Sequence, residues 1–278
     1  MCSALVNKII HFSSVDGPGN RMAIFLQGCN FDCLYCHNPE TINTCSHCKV
    51  CSRECESNAI SIIKDKIVWN KTLCKDCDKC VVTCTKNSSP KTIQMSVEDI
   101  LKEIKRIKPF ISGITVSGGE CTLQSNFVTK LFKEVKNIGL STFLDTNGYL
   151  PLDEMCELVS VMDMAMIDVK SYDSKEHMML TGKDNKTVIE NVKYISNINK
   201  LYEVRTVIVP DILNNYYNVD MISKLIASLN SNIRYKLIKY RPIGVRTEII
   251  KSYTPDEKTM NGLSELARRN GCENVIVV

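Results

Sequence analysis

Three cysteines lie close together in one short segment that follows an apolar run. Cys29, Cys33 and Cys36 have the spacing CxxxCxxC, directly after the apolar residues 22–26. Three thiolates on one loop can each bind an iron of a 4Fe-4S cube, and the lack of a fourth nearby cysteine leaves one iron open. Zinc is the alternative metal, but structural zinc sites use closed sets of four ligands. The spacing therefore predicts a reactive iron–sulfur cluster.

Eight further cysteines form two copies of one spacing pattern, CxxCxxCxxxC. In bacterial two-cluster ferredoxins with this spacing, the fourth cysteine of each run binds the other cluster. The pattern assigns one cube to Cys45, Cys48, Cys51 and Cys84 and a second cube to Cys74, Cys77, Cys80 and Cys55. The proline that usually follows the fourth cysteine is replaced by Glu56 and Thr85. A pair of zinc knuckles stays open as an alternative, since zinc also accepts four thiolates.

Composition places these cysteines in a metal-rich enzyme. The chain has 278 residues and is 44% hydrophobic, which is enough for one large α/β domain and a small module. Fifteen cysteines without a signal-peptide pattern indicate metal sites in a cytoplasmic protein, because disulfide scaffolds are short secreted chains. No apolar stretch approaches bilayer length, and a net charge of +4 with mixed signs gives no case for nucleic acid. We expect no membrane partner and no nucleic-acid partner.

The four remaining cysteines, Cys2, Cys121, Cys156 and Cys272, have no spacing that marks them as ligands. We expect them to be small buried residues, above all Cys156.

Apolar runs alternate with helical patterns outside the cysteine-rich segment. Strands are predicted near 22–28, 113–117, 141–145, 163–169, 202–209, 233–240 and 273–278. Helices are predicted near 97–108, 125–138, 152–161, 187–198, 219–229 and 255–270. This alternation indicates a parallel sheet with crossover helices.

The cysteine-rich segment lies inside the first β/α connection. A capping box at Ser96–Asp99 opens the next helix, and a short hairpin is predicted around Lys64 and Asp65. The chain then divides into residues 1–40 with the cluster loop, an insert over 41–95, and the remainder over 96–278. The predicted fold is a partial (β/α)6 TIM-like barrel with an inserted two-cluster (4Fe-4S) bacterial ferredoxin-like module, because six units are too few to close eight strands.

The unusual residues follow successive strands of the predicted sheet. After the cluster loop come Ser117–Glu120, Asp145–Gly148, Asp168–Lys170 and Tyr240–Gly244. Singly, such segments are most often turns or solvated pairs. Because the carboxyl ends of parallel strands open at one edge, we expect all of them to meet at a common site.

Together these motifs resemble the glycyl radical enzyme activating enzymes of the radical S-adenosylmethionine (SAM) superfamily. The resemblance covers nearly the whole chain and rests on Val15-Asp16-Gly17-Pro18-Gly19-Asn20-Arg21, Gln27-Gly28-Cys29, Tyr35-Cys36-His37-Asn38-Pro39, Ser-Gly-Gly-Glu, Asp-Thr-Asn-Gly and Asp-Val-Lys. The two-cluster insert makes the chain most similar to the YjjW-type activases.

The resemblance implies an activity and its partners. A reduced cluster on the CxxxCxxC loop would cleave S-adenosylmethionine to a 5′-deoxyadenosyl radical, which abstracts hydrogen from a glycine of a partner glycyl radical enzyme. Flavodoxin or ferredoxin would supply electrons to a monomeric activase. A radical SAM enzyme acting on a small molecule is the alternative, disfavoured by the Asp-Gly-Pro-Gly-Asn-Arg segment. A pure electron carrier needs neither an open iron nor a barrel.

The resemblance also assigns roles to individual residues. It places cofactor contacts at Tyr35, Cys36, His37, Gly118, Gly119, Asp168, Val169, Lys170, Arg205 and Arg241. Arg241 stands where the family commonly has a histidine. A monovalent cation, Na⁺ or K⁺, would be bound by Asp145, Thr146 and the backbone carbonyl of Met166, all of them hard oxygen donors. Asp16 would touch the target peptide.

Overall fold

A nine-stranded sheet organises the computed structural model, which describes residues 2–278. The strands are β1 (Ser3–Ser13), β2 (Arg21–Leu26), β3 (Ile60–Ile63), β4 (Lys66–Trp69), β5 (Ile93–Ser96), β6 (Gly113–Gly118), β7 (Ser141–Thr146), β8 (Met164–Asp168), β9 (Leu201–Ile208), β10 (Arg234–Lys239) and β11 (Val275–Val277). The helices are α1 (Val50–Arg53), α2 (Lys79–Val82), α3 (Val97–Ile107), α4 (Ser125–Asn137), α5 (Cys156–Val161), α6 (Ser174–Thr181), α7 (Lys186–Asn197), α8 (Asn215–Leu229) and α9 (Glu257–Arg269).

Seven strands of the large sheet are parallel, in the order β11-β10-β9-β8-β7-β6-β2. Helices connect them one after another, so the six predicted β/α units are confirmed. The apolar faces of these helices pack on strands that are buried on both sides, as parallel sheets require. Every loop at the carboxyl ends of the parallel strands therefore opens at one edge.

The parallel sheet is curved. Four strands separate β2 from β10, yet the loop after β10 reaches the loop after β2, where Arg246 Nη2 donates to the Cys33 carbonyl at 2.8 Å. At the other end, Lys236 Nζ on β10 lies 3.5 Å from the Val15 carbonyl, just before β2. Contacts at both ends of the strands bring the two sides of the sheet toward a common interior.

Two strands of the large sheet and one helix outside the insert escaped the sequence prediction, as did the short helices α1 and α2 of the insert. The first, β1, pairs antiparallel with β2 and with β5, so both extend the sheet beyond its parallel part. Their burial alternates only weakly, which explains why periodicity missed them. The missed helix is α6, whose apolar pattern is poor but whose start is capped by Asp173.

Some boundaries and one burial prediction are wrong. The helix predicted from 152 begins at Cys156, because the Leu152 amide donates to Asn191 Oδ1 (2.9 Å) rather than entering a helical turn. Cys156, the first residue of this helix, is exposed, so its prediction as a buried residue is wrong. Cys121 and Cys272 are buried, as predicted. The capping box is confirmed, with Ser96 and Asp99 bonding each other's backbone amides.

The insert folds around a separate small core. The predicted hairpin is confirmed as β3 and β4, and Lys64 and Asp65 both adopt left-handed backbone angles in its two-residue turn. Cys51 and Cys80 are buried with isoleucines of this hairpin. Across residues 2–278, no helix combines the length and apolar character that crossing a membrane requires.

Candidate active site and cysteine-rich insert

The CxxxCxxC loop begins where β2 ends and is held by backbone hydrogen bonds. The amide of Cys29 donates to the Ile42 carbonyl (2.8 Å), which ties the start of the loop to the segment leading into the insert. The amide of Leu34 donates to the Leu180 carbonyl (2.9 Å) at the end of α6. Both ends of the loop are therefore fixed by other elements, so the positions of the three cysteines do not depend on the loop alone.

Burial controls the chemistry of the three thiols. It raises the pKa of Cys29 and of Cys33 to about 12, and it raises the pKa of Cys36 as well. Thiols in such surroundings ionise at neutral pH only when a strong positive charge binds the sulfur. The donor set thus fits a metal cluster bound through sulfur and does not fit free reactive thiolates.

Aromatic and charged side chains surround the end of this loop. The Tyr35 ring is buried, and the Lys170 ammonium lies 5.7 Å from its centroid. Lys170 Nζ donates to Asp168 Oδ2 at 2.6 Å, and neighbouring charges, Asp168 first, outweigh burial to hold the pKa of Lys170 well above its usual value. His37 Nε2 lies 3.1 Å from the backbone carbonyl of Arg241, whose side chain is exposed.

Two glycines let the loop after β6 pack directly on the cluster loop. A Cβ on Gly119 would lie 2.2 Å from the Gly28 carbonyl oxygen, and one on Gly118 would lie 2.2 Å from the backbone of Leu26. Gly118 also has a φ of +129°, which favours glycine. Only residues without a side chain permit this approach, so the glycines are required by packing whether or not a cofactor is bound.

A buried carboxylate that the sequence analysis did not single out joins two of the loops. Glu120, 1% exposed, accepts hydrogen bonds from Thr146 Oγ1 (2.7 Å) and the Asn147 amide (2.7 Å), besides two from Thr122. Burial nevertheless raises the pKa of Glu120. The Thr146 hydroxyl, predicted as a cation ligand, is engaged in this network.

The second predicted cation ligand is paired with an arginine. Arg205 Nη1 lies 2.9 and 3.0 Å from the two oxygens of the Asp145 carboxylate, and Ser117 Oγ donates to the same carboxylate at 2.9 Å. Burial raises the pKa of Asp145 while the guanidinium opposes that rise. Arg205 also bonds Glu203 (2.5 Å) and contacts the sulfur of Met166 (3.0 Å). Of the three predicted cation ligands, the Asp145 carboxylate is therefore paired with a guanidinium, and the Thr146 hydroxyl is bonded to Glu120.

Of two further predicted residues, Asp16 lies away from the mouth of the site and Val169 lies at the mouth but has no exposed surface. Asp16 is in the turn between β1 and β2, at the amino ends of the parallel strands, and its carbonyl accepts a hydrogen bond from Thr115 (2.5 Å). Its carboxylate accepts a hydrogen bond from Ser13 Oγ at 2.5 Å, within the same turn. Val169 is fully buried, and its amide and carbonyl both bond to β9.

The eight cysteines of the insert surround two cavities. One is lined by Cys45, Cys48, Cys51 and Cys84. The other is lined by Cys55, Cys74, Cys77 and Cys80. Each cavity thus takes three cysteines of one run and the last cysteine of the other, the crossed arrangement expected from the spacing. Within residues 2–278, no three His, Cys, Asp or Glu side chains are grouped tightly enough to hold a single metal ion.

The two runs also repeat the same backbone conformation. Left-handed angles recur in matching pairs at His47 and Asp76, at Lys49 and Asp78, and at Asn58 and Asn87. The short helix α1 begins directly after Lys49, and α2 begins directly after Asp78. The insert is therefore an internal structural repeat, as two similar metal-binding halves would be.

Three residues near the cluster loop had no sequence signal as site residues. Glu120 and Asn147 belong to quoted motifs, but their roles depend on contacts between loops. Arg246 bonds the Cys33 carbonyl and the Asp32 carboxylate (2.7 Å) from the far side of the sheet. A partner that is a backbone carbonyl leaves no pattern in a sequence.

Buried polar atoms without partners support the fit of a bound polar group at the cluster loop. The Tyr35 hydroxyl and the Asn30 side-chain nitrogen are buried, and neither finds a hydrogen-bond partner within residues 2–278. Such atoms normally have partners in a folded protein. Three cysteine sulfurs that can bind iron, next to two hydrogen-bond donors without partners, fit a 4Fe-4S cluster that carries a polar ligand.

The chain is similar to proteins of known family over most of its length. Residues 23–216 match the model of the Radical SAM superfamily. A Haemophilus influenzae protein provisionally named a glycyl-radical enzyme activating enzyme is 28% identical, covering 98% of this chain and 96% of its own. The pyruvate formate-lyase-activating enzyme of Streptococcus mutans is 30% identical, covering 87% of this chain and 79% of its own.

Solved structures share the fold. A domain of the pyruvate-formate lyase-activating enzyme from Bacteroides vulgatus has a TM-score of 0.52 at 21% identity, covering 60% of this chain and 99% of that domain. Streptococcus suis SuiB bound to the precursor peptide SuiA has a TM-score of 0.62 at 14% identity, covering 91% of this chain and 47% of SuiB. With the family match and the relatives above, the chain belongs to the radical SAM superfamily, in the oxidoreductase group of the glycyl radical enzyme activating enzymes.

Proposed function

We propose that this protein installs a radical on a glycine of a partner glycyl radical enzyme. The observation that carries the proposal is the CxxxCxxC loop itself, whose buried Cys33 and half-buried Cys29 and Cys36 are fixed at the mouth of a curved parallel sheet. Cys29, Cys33 and Cys36 would hold a 4Fe-4S cluster. When bound there, the cluster and S-adenosylmethionine supply the one-electron cleavage that yields the 5′-deoxyadenosyl radical.

The residues around the loop would bind and orient S-adenosylmethionine. Tyr35 and His37 offer aromatic faces and polar atoms, with ring centroids 6.5 Å apart. Lys170 supplies a positive charge for a carboxylate, and Asp168 supplies a hydrogen-bond acceptor for ribose hydroxyls. Burial of these groups excludes water from the reacting atoms.

A second set of residues would complete the cofactor contacts. The backbone of Gly118 and Gly119 would face the methionine amine, with Val169 contributing main-chain groups. Arg205 and Arg241 would contribute positive charge, Arg205 from inside the sheet and Arg241 from its exposed loop. Asp145, Thr146 and the Met166 carbonyl would bind a monovalent cation if Arg205 releases the carboxylate.

The peptide of the partner would enter the interior of a partial barrel. Contacts across both ends of the sheet support this barrel, since they draw β2 and β10 toward a common interior. Asp16 lies at the amino ends of the strands, where its carboxylate accepts a hydrogen bond from Ser13 Oγ at 2.5 Å. To contact both Asp16 and the cofactor, a glycine loop of the partner would have to extend from the mouth through the interior to those amino ends.

The insert, residues 41–95, would be a ferredoxin-like module that holds two further clusters, of the kind found in the YjjW-type activases. The two four-cysteine cavities and the repeated backbone conformation support this assignment. A zinc knuckle would take its four thiolates from one run, whereas each cavity is lined by three cysteines of one run and the last of the other, which favours clusters over zinc. Flavodoxin or ferredoxin would then supply electrons to the cytoplasmic enzyme.

Substitution of one cluster ligand tests the proposed function. Reconstituted protein should cleave S-adenosylmethionine under dithionite, form a glycyl radical on its partner and hold about 12 irons, four for each cube. Cys33→Ala should release no 5′-deoxyadenosine, because one of its three cluster thiolates is missing. Cys272 is buried and lies outside the three cysteine runs, so the Cys272→Ala protein should stay active.

Two results would contradict the proposal. Release of 5′-deoxyadenosine by the Cys33→Ala protein would remove the cluster from the account. Cleavage by the unmodified protein without a glycyl radical on any candidate partner would instead favour the alternative, a radical SAM enzyme that acts on a small molecule.

A further inference from the structure

The side chain of Asn147 lies against the first cysteine of the cluster loop. Its Nδ2 is 3.8 Å from Cys29 Sγ and 2.8 Å from Asn30 Oδ1. An amide nitrogen carries two hydrogens, so one can bond the Asn30 oxygen while the other faces the sulfur. The contact joins the loop after β7 to the loop after β2, which are far apart in sequence.

The orientation of this carboxamide is determined by its other contacts. Asn147 Oδ1 accepts a hydrogen bond from the Tyr149 amide at 3.0 Å, which fixes the oxygen on the side away from the sulfur. The backbone amide of Asn147 donates to the buried Glu120 carboxylate at 2.7 Å. With 7% of its surface exposed, the side chain has little room to turn. The amide hydrogens must therefore point toward Cys29 and Asn30.

A second amide group stands beside the first. The Oδ1 atom of Asn30 is occupied by Asn147, and its Nδ2 atom is buried without a partner among residues 2–278. Buried amide donors almost always have an acceptor, and Asn30 directly follows Cys29 in the chain. The Phe31 backbone amide also donates to Cys29 Sγ at 3.4 Å, so the Asn147 side chain adds to a backbone donor at this sulfur.

We propose that Asn147 is a positioning residue that sets the reduction potential of the cluster by donating a hydrogen bond to the Cys29 thiolate. This inference rests on the proposed function, because it requires a cluster on Cys29. A hydrogen bond to a cluster sulfur stabilises the reduced state, which carries one more negative charge, and so raises the potential. The cluster would then accept an electron from its donor more readily.

The test measures the potential of the cluster rather than the activity of the enzyme. In reconstituted Asn147→Ala protein, electron paramagnetic resonance would follow reduction at controlled potentials, and the active-site cluster is identified as the signal that changes when S-adenosylmethionine is added. We expect a more negative midpoint. At the midpoint of the unmodified protein, the ratio of reduced to oxidised cluster should fall about tenfold, which corresponds to about 59 mV for one electron.

A matched variant controls for disturbance of the loop. Asn191 is also buried, and its Nδ2 donates to the carbonyls of Gly148 and Leu150 in the same loop without touching sulfur. Asn191→Ala should leave the midpoint unchanged. If Asn147→Ala does not assemble its cluster, Asn147→Asp keeps the acceptor for the Tyr149 amide, removes the donor and should lower the midpoint as well.

The outcomes separate this inference from the proposed function. An unchanged midpoint in Asn147→Ala, or an equal shift in Asn191→Ala, would overturn the role of Asn147 while leaving the cluster in place. Absence of any signal that responds to S-adenosylmethionine in the unmodified protein would overturn the proposed function itself.

Discussion

At the scale of single residues, charge pairing inside the curved sheet determines which side chains are available to ligands. The Asp145 carboxylate is held by Arg205 and Ser117. Arg205 is shared with Glu203, which also meets Lys236 at 3.1 Å. A cation that binds Asp145 would therefore compete with this guanidinium, whereas a cofactor carboxylate could pair with it.

Replacing Asp145 tests the proposed cation site. We expect Asp145→Ala to bind S-adenosylmethionine roughly ten- to a hundredfold more weakly, because a hydrogen bond to a charged group contributes about 1.5–3 kcal/mol. Any stimulation of binding by K⁺ or Na⁺ should disappear in this variant. Equilibrium binding measured with and without these ions checks both expectations. If the unmodified protein binds equally well without them, Arg205 is the cation that Asp145 needs.

At the scale of elements, the active-site edge is built from loops in direct backbone contact. The Gly119 amide donates to the Leu26 carbonyl (2.9 Å), and the Glu120 amide donates to the Gly28 carbonyl (2.7 Å). The loop after β6 thereby adds to the end of β2. Packing of this kind holds the cluster loop in place from one side while α6 holds it from the other.

A single methyl group should separate these loops. In Gly119→Ala the Cβ would meet the carbonyl oxygens of Gly28 and Thr41 at 2.2 and 2.7 Å, so backbone must move. We expect reduced iron loading on the cluster loop and a lower melting temperature. Gly262→Ala is the control, because its Cβ meets nothing within 4 Å in α9 and alanine should stabilise a helix by about 0.5–1 kcal/mol. Iron loading in Gly119→Ala equal to that of the control would show that the close approach is unimportant.

At the scale of the whole molecule, the insert interrupts the first β/α unit without interrupting the sheet. The chain leaves after the cluster loop and returns through β5, which pairs with β1. The amide of Asn43 and the carbonyl of Asn87 bond at 2.9 Å, so the two ends of the insert meet. A module attached in this way can receive electrons on its own surface while the mouth of the sheet admits the partner.

The choice of electron donor tests this division of labour. In Cys77→Ser one cluster of the insert loses a ligand, and we expect glycyl radical formation to persist with dithionite but to fall with reduced flavodoxin or ferredoxin. Dithionite is small enough to reach the active-site cluster directly, whereas a protein donor is not. Equal activity with both donors would refute electron transfer through the insert and leave it a role in folding or docking.

The sequence by itself determined the grouping of the cysteines, the β/α order and the place of the cysteine-rich segment in the first connection. These features depend on local spacing: CxxxCxxC, the two copies of CxxCxxCxxxC, the capping residue Ser96 and the alternation of apolar runs. Local spacing survives in any fold, because covalent connection limits how far neighbouring ligands can separate. For the same reason the crossed assignment of Cys55 and Cys84 could be made in advance, since it belongs to a repeated pattern.

Only the tertiary structure decided how the loops act on one another. The pairing of Asp145 with Arg205, the contact of Asn147 with Cys29 and the bond from Arg246 to the cluster loop all join elements that are distant in the chain. Such contacts depend on strand order, curvature and side-chain direction together, none of which is encoded in spacing. The late start of α5 has the same origin, because the Leu152 amide donates to Asn191 instead of entering a helical turn.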